Sequence, residues 1–247
     1  MARRGTSCGG HVKRKNHIAA IPGNVTAVRK KLLQLKTVLL SDVMGKTGAM
    51  DHDMKNLSGQ CRMAGPAFTL RVHTADILMV GKAVSLCPPG RVLVIDGQGE
   101  LNTALWGSII TVAARIKGME GVVIDGAIRD LEEIRREQFP VFARAAVPNA
   151  GGAEYAGEIN IPIQCGGVAV NPNDWVVGDD DGVVVVPSGR LTGVIQRAQK
   201  LLKVEKEIEQ LVRAGGDLAS ILRYDDALRV KSQNAFLPQM RFKERNS

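Results

Sequence analysis

The stretch Gly121-Val-Val-Ile-Asp125-Gly-Ala-Ile-Arg129-Asp130-Leu-Glu-Glu133 decides the reading of this 247-residue chain. An apolar run of strand length closes on Asp125-Gly126, and a helix begins within about a turn, as short strand-to-helix connections allow. Asp130 followed three residues on by Glu133 has the spacing of a helix N-cap with its capping-box partner. Arg129 does not fit that reading, because a cation ahead of a helix faces the positive end of its dipole. It is at home there if an anion is present, either Asp130 itself or a bound carboxylate. Strand end, exposed amides, guanidinium and carboxylate together suit a small anionic substrate.

Upstream lies an echo of the same pattern. Val92-Leu-Val-Ile-Asp96-Gly97 ends as Val122-Val-Ile-Asp125-Gly126 does, with Thr103 to Lys117 reading as a helix between them and Gly118 as its stop. Strand, crossover helix and strand make a βαβ unit with parallel neighbouring strands. Both Asp-Gly ends then lie on one sheet edge, and ligands of open α/β sheets bind beyond the carboxyl ends of strands. The turn Asp96-Gly97-Gln98-Gly99-Glu100 lacks the third glycine of a dinucleotide fingerprint. It is expected to be a tight turn that can still line the same pocket.

Around this centre, Val25 to Leu35 reads as a helix, Ser41-Asp42 as a possible cap of another, Gly65 to Val72 as a strand and Ala75 to Leu86 as a helix. Helix Asp130 to Gln138 and strand Val141 to Ala146 continue the alternation. Ile161 to Pro187 is strand-rich, with Asp181-Gly182 as a hairpin turn. Asp179-Asp180-Asp181 lacks EF-hand spacing and reads as a turn. A long helix runs from about Gly189 to Ala214. Its apolar stripe (Leu191, Val194, Ile195, Ala198, Leu201, Leu202, then Ile208, Leu211 and Val212) is interrupted by Glu205. Such a carboxylate is either paired at a helix rim or delivered to a site across a subunit boundary.

The charge is unevenly spread. Of 33 Lys and Arg, nine precede Asp42, the first acidic residue, which leaves 24 against 25 carboxylates in the rest. The excess positive charge therefore belongs to residues 1–41, of which 1–24 are expected to be a basic flexible arm, although an acid-free start also resembles a transit peptide. With only 4% aromatic residues, base stacking offers little, and the composition argues against nucleic acid as the partner. No apolar run reaches the roughly 18 residues of a membrane span. Cys8, Cys61, Cys87 and Cys165 form no CxxC pair, and Cys8 with His11 is half a zinc site at most. Free thiols in a reducing cytoplasm are expected.

The run Gly99-Glu-Leu-Asn-Thr-Ala-Leu-Trp106-Gly107-Ser108 followed by Gly121 to Asp130 resembles the RraA-like family. Ser41-Asp42, Pro89-Gly-Arg-Val-Leu-Val94 and Asp174 to Pro187 support the likeness, which covers roughly residues 25–220. It implies a single-domain α/β fold, an α/β/β/α sandwich with a central βαβ unit, a strand-rich C-terminal half and terminal helices, followed by an extension over 221–247. The family holds aldolases of 4-hydroxy-4-methyl-2-oxoglutarate and 4-carboxy-4-hydroxy-2-oxoadipate that also decarboxylate oxaloacetate, and a non-catalytic regulator of an RNA-processing enzyme. Many members carry the name demethylmenaquinone methyltransferase.

For this chain the aldolase resemblance implies a metal-dependent (class II) carbon–carbon lyase working through a pyruvate enolate. Arg129 would hold the keto-acid, and Asp130 would anchor Mg²⁺ or Mn²⁺. Backbone amides over Gly107, Ser108, Ile109 and Ile110 would cradle the substrate carboxylate. Glu205 would reach the metal region from a neighbouring subunit of a homotrimer or homohexamer. Metal and guanidinium supply the sink that enolate charge needs. Family aldolases have Asp where this chain has Ser108, which orients water but is a poor base, so decarboxylation is less threatened than aldol cleavage. The RNA-processing regulator lacks the Asp of the Arg-Asp pair, so Asp130 favours a metal site.

Overall fold

The computed structural model describes residues 24–59, 62–224 and 228–229. The expected basic arm, Cys8, His11, Cys61 and most of the 221–247 extension lie outside the described residues. By compactness the chain divides into two units, residues 1–195 and 196–247.

The first unit opens with helices α1 (Val25–Gln34) and α2 (Thr37–Val43), strands β1 (Lys55–Asn56) and β2 (Met63–Arg71) and helix α3 (Leu78–Leu86). The βαβ core follows as β3 (Val92–Ala104), α4 (Ser108–Ile116) and β4 (Gly121–Ile128), then α5 (Leu131–Glu137) and β5 (Val141–Ala146). Five short strands complete it: β6 (Glu158–Ile159), β7 (Ile163–Cys165), β8 (Val168–Val170), β9 (Trp175–Asp179) and β10 (Gly182–Val186).

The main sheet has the order β1-β5-β4-β3-β2-β9-β10, with β6 also pairing β2. Strands β2, β3, β4 and β5 run parallel, as the two echoed apolar runs require, with Val92 opposite Gly121 and Ile95 opposite Ile124. Alternate residues face alternate sides. Phe68, Leu70, Leu93, Ile95, Val122 and Ile124 join one core, with Val80 of α3, Ala114 of α4 and Ile134 of α5. Their neighbours Ala67, Val92, Val94 and Val123 join a second, with Ile163, Val170, Val176 and Val183 from the short strands. Helices thus cover one face and strands the other. The continuous apolar runs follow from burial on both faces, where each large aliphatic side chain contributes about 1.5–3 kcal/mol.

Helices α2 and α3 find their N-terminal acceptors in different ways, one remote in the chain and one local. Lys36, at the N-cap of α2, offers no side-chain bond; Asp179 accepts instead from the Thr37 N–H (2.9 Å) and hydroxyl (2.6 Å). At α3, Asp76 accepts from Leu78 N–H (2.9 Å) and also from Glu154 and Tyr155 N–H, tying down the segment after β5. These bonds hold the Asp76 carboxyl below its usual range despite its burial.

Four sequence expectations shift. Ser41-Asp42 sits within α2 rather than capping a helix, and α3 begins at Leu78 rather than Ala75. Strand β3 runs on to Ala104, where a helix from Thr103 was expected, because its register breaks between Ile95 and Glu100 and then resumes. Gln98 and Gly99 take positive φ at that bulge. The β9–β10 turn is Asp180-Asp181, since Asp179 pairs with Gly182.

Within the second unit, α6 (Leu191–Arg213) continues from its start in the first and ends in a Schellman motif. Gly215, at φ 88°, donates to Val212 O and Gly216 to Leu211 O. Helix α7 (Leu218–Ile221) is capped by Asp217, which accepts from Ser220. No described helix is long and apolar enough to cross a membrane.

Candidate active site

The ends of β3 and β4 are stitched together by Leu105 N–H to Ala127 O (2.9 Å) and Arg129 N–H to Trp106 O (2.9 Å). That pairing brings the Trp106-Gly107-Ser108 corner against Arg129-Asp130. Trp106 is buried, and its indole N–H donates to the Thr111 hydroxyl (2.7 Å), which donates in turn to Gly107 O (2.9 Å). The first turn of α4 is thereby braced from behind. This brace escaped the sequence reading, although Trp106 and Thr111, five residues apart, were its only signal.

Asp130 takes the left-handed conformation (φ 61°, ψ 44°), which Asp tolerates better than most residues. Its carbonyl still starts α5 by accepting from Ile134 N–H, but its carboxylate does not cap that helix. The capping box with Glu133 is therefore not formed. The side chain instead turns back to α4, where Asp130 Oδ2 accepts from both the N–H and the hydroxyl of Ser108, each at 3.0 Å. Ser108 N–H chiefly, with its hydroxyl and Arg129 adding, holds the Asp130 carboxyl below the usual range. Gly107 makes the approach possible: a Cβ there would lie 2.7 Å from Asp130 Oδ2 and 3.4 Å from Arg129 Cγ.

Arg129 Nε stands 3.7 Å from Asp130 Oδ2, an ion pair rather than a hydrogen bond, and its side chain is 43% exposed. Both residues line a cavity of about 200 Å³. Gly107, Ser108, Ile109 and Ile110 line it too, so the structure brings together every predicted site residue of the first unit. Helix geometry leaves the N–H groups of Ile109 and Ile110 without an intrahelical acceptor, a ready anion cradle. Ile77, Ala104, Leu105, Trp106 and Ala150 also line it; Ile77 lies just ahead of α3, in a stretch expected to be helical, and Ala150 in an irregular segment that no periodicity marked. Glu205 lies in the second unit, exposed on α6.

The Gly97–Glu100 turn does not line this cavity, contrary to expectation. Gly97 is needed for packing, because a Cβ there would meet Leu105 Cδ1 at 2.4 Å and Asp125 O at 2.6 Å. The two strand-end aspartates are also spoken for. Asp125 accepts from Arg144 Nε (2.5 Å) and Gly166 N–H (2.7 Å), and Asp96 from Arg71 Nε (3.3 Å). Arg144 further pairs with Asp51 and Asp53. Cys87 and Cys165 are buried free thiols, and burial pushes Cys87 up to about 12, which removes it as a nucleophile.

Among the described residues no three His, Cys, Asp or Glu cluster as a metal site. Asp130 nonetheless suits a hard cation. Mg²⁺ is commonly held by one or two carboxylates plus substrate oxygens and waters, and among the described residues the hydrogen bonds to Asp130 fall on Oδ2.

The RraA-like family model (Aldolase/RraA) matches residues 37–185, more than half of the chain. The chain belongs to the RraA-like family. A 4-hydroxy-4-methyl-2-oxoglutarate aldolase of Thermus thermophilus is 37% identical over 155 residues, covering 63% of this chain and 94% of that one. An uncharacterized protein of Methanocaldococcus jannaschii is 37% identical over 170 residues, covering 68% and 82%. The solved structure of the RNA-processing inhibitor RraA from Thermus thermophilis matches with a TM-score of 0.57 and 38% identity, over 62% of this chain and 92% of that one. Members similar to this chain thus carry both an aldolase name and a regulator name, and the mixed α/β fold agrees with the family's.

Proposed function

We propose that this RraA-like protein is a divalent-metal-dependent carbon–carbon lyase acting on a short 2-oxo acid through a pyruvate enolate. One observation carries the reading: Arg129, Asp130 and the open N-terminus of α4 converge on one small cavity. The α4 amides and Arg129 would receive the substrate carboxylate, and the guanidinium would also face the oxygen that gains charge as the enolate forms. Ser108 keeps the Asp130 carboxylate ionised and aimed. Mg²⁺ or Mn²⁺, held by Asp130, would supply Lewis-acid stabilisation of that oxygen. Two reactions fit this chemistry, retro-aldol cleavage of 4-hydroxy-4-methyl-2-oxoglutarate-type acids and decarboxylation of oxaloacetate. In the former the C3–C4 electron pair passes into the enolate as the C4 hydroxyl loses its proton. Ser108 is a poor acceptor for that proton, so decarboxylation, which needs no such base, is the better supported of the two.

The same reading makes the protein a homo-oligomer, trimeric or hexameric, in which Glu205 serves a neighbouring subunit's site. The apolar stripe around Glu205 supports it, since its residues Leu211 and Val212 are exposed on the single chain. A second reading, a non-catalytic regulator that binds an RNA-processing protein, is favoured by the likeness to the RNA-processing inhibitor. Pyruvate release from a panel of keto-acids, with Mg²⁺, with Mn²⁺ and with EDTA, separates the two. The lyase reading expects metal-stimulated release abolished by EDTA; no release from any acid would favour the regulator.

A further inference from the structure

We propose that Thr111 is a positioning residue for Asp130, acting through the peptide that joins Gly107 to Ser108. The consequence for turnover rests on the enolate reading above; the positioning itself does not.

Thr111 is fully buried on α4, and Trp106 beside it is nearly so. An indole N–H can only donate, so in the 2.7 Å bond from Trp106 the Thr111 hydroxyl oxygen is the acceptor. Its single proton is then directed to Gly107 O, 2.9 Å away. A threonine hydroxyl in a helix often bonds the carbonyl four residues back, and alone that would mean little. Here the indole fixes which way the proton points. Gly107 O also accepts from Thr111 N–H (3.1 Å), so both lone pairs of that carbonyl are engaged.

The same planar peptide carries the Ser108 N–H at its other end. That N–H donates to Asp130 Oδ2 at 3.0 Å, and the Ser108 hydroxyl donates to the same oxygen at 3.0 Å. The peptide is thus held at both ends, by Thr111 at its oxygen and by Asp130 at its nitrogen. The corner has little stiffness of its own. Gly107 stands at the N-cap of α4 with extended backbone (φ −157°, ψ −168°) and no side chain to cap the helix. Asp130, in the left-handed region, makes no side-chain cap bond to α5. A tilt of the Gly107–Ser108 peptide would therefore carry the Asp130 carboxylate with it. Hydrogen bonds in such a chain also polarise one another, so a carbonyl engaged by Thr111 makes its peptide N–H a better donor to the carboxylate.

Thr111→Val keeps the branched shape and removes the hydroxyl, whereas Thr111→Ser keeps the hydroxyl. Mg²⁺-dependent deuterium uptake into the pyruvate methyl group by the full-length protein reads turnover. Thr111→Val should lower kcat by about 10–10²-fold, the scale of a slightly misplaced reacting group, with KM for pyruvate changed by less than about threefold. Thr111→Ser should recover most of that loss. A Thr111→Val kcat within about threefold of wild type, or a Thr111→Ser variant as slow as Thr111→Val, overturns the proposal. Urea unfolding in EDTA supplies a readout that needs no turnover, through a double-mutant cycle of Thr111→Val with Asp130→Asn. Groups in one hydrogen-bond network couple, so the double variant's change in unfolding constant should lie at least about threefold below the product of the two single changes. Changes that simply multiply overturn the positioning of Asp130. Absence of exchange in the wild type overturns the enolate reading alone, and the cycle then decides the positioning. Should Thr111→Val not fold, the same comparisons are made in a Trp106→Phe background, where no buried indole donor is orphaned.

Discussion

Replacing Ser108 by Asp tests how tightly this corner is wired. The Ser108 hydroxyl lies 3.0 Å from Asp130 Oδ2, so a carboxylate at position 108 would stand within a few ångströms of Asp130. Two like charges about 4 Å apart repel by about 4 kcal/mol at an effective dielectric constant of about 20. The Asp130 side chain is 34% exposed, which screens the repulsion to roughly half. Loss of the hydroxyl's hydrogen bond adds about 1 kcal/mol, and an acidic residue in the first turn of α4 returns about 0.3–1 kcal/mol. The metal-free variant should therefore be less stable by about 2 kcal/mol, which lowers Tm by roughly 4–8 °C in a chain of this size.

A divalent cation bound between the two carboxylates should reverse that loss, since a ligand at 100 times its Kd stabilises by about 2.7 kcal/mol. Thermal melts at pH 7.5 in EDTA, Mg²⁺ and Mn²⁺ read both effects. Ser108→Asp should melt lower than wild type in EDTA and gain more from metal than wild type does. The same substitution should raise retro-aldol cleavage relative to oxaloacetate decarboxylation, because it restores a candidate base. A variant that melts no lower in EDTA, or responds to metal no more than wild type, would refute the reasoning.

Gly107→Ala should keep the fold but cut kcat/KM about 10²-fold, because its Cβ would displace Asp130 Oδ2 from a 2.7 Å approach; near-normal turnover would count against the close packing described. The depressed Asp130 carboxyl stabilises the fold fully above its unfolded value of about 3.9, and that contribution fades as pH falls through the lower folded value. Asp130→Asn should accordingly be less stable than wild type in urea melts at pH 7, and the gap should close in stronger acid; a gap independent of pH would contradict the ionised cap. Mixing inactive Glu205→Gln with inactive Arg129→Ala subunits should restore part of the activity, and no recovery after verified subunit exchange would remove Glu205 from a shared site.

The fold was legible where burial imposes a pattern. Val92–Ile95 and Val122–Ile124 announce parallel strands because both faces of the sheet are covered, and the helical stripe of α6 carries its own period. Position along the chain was less legible where tertiary contacts override local propensity. Thr103 and Ala104 looked helical, yet they extend β3 beyond a bulge that Gly97 and Gly99 make possible. At the site, Arg129 betrayed itself by its misfit at a helix N-terminus. The destination of Asp130 did not, because a capping box is a local rule, and its carboxylate serves a helix 22 residues upstream. The place of Ile77 and Ala150 in the cavity was not legible for a similar reason: their segments are held there by Asp76 and by Ala104, which a local pattern does not reveal.

The central claim is that Arg129, Asp130 and a divalent cation together form a pyruvate enolate. Deuterium uptake into the methyl group of pyruvate in D₂O, followed by proton NMR, reads that species without depending on the identity of the natural substrate. The account predicts uptake by the wild-type protein with Mg²⁺ or Mn²⁺, none in EDTA, and none in an Asp130→Ala variant whose circular dichroism matches wild type, since a lost helix cap costs only about 0.5–2 kcal/mol. Uptake that persists undiminished in EDTA, or in the folded Asp130→Ala variant, would contradict it.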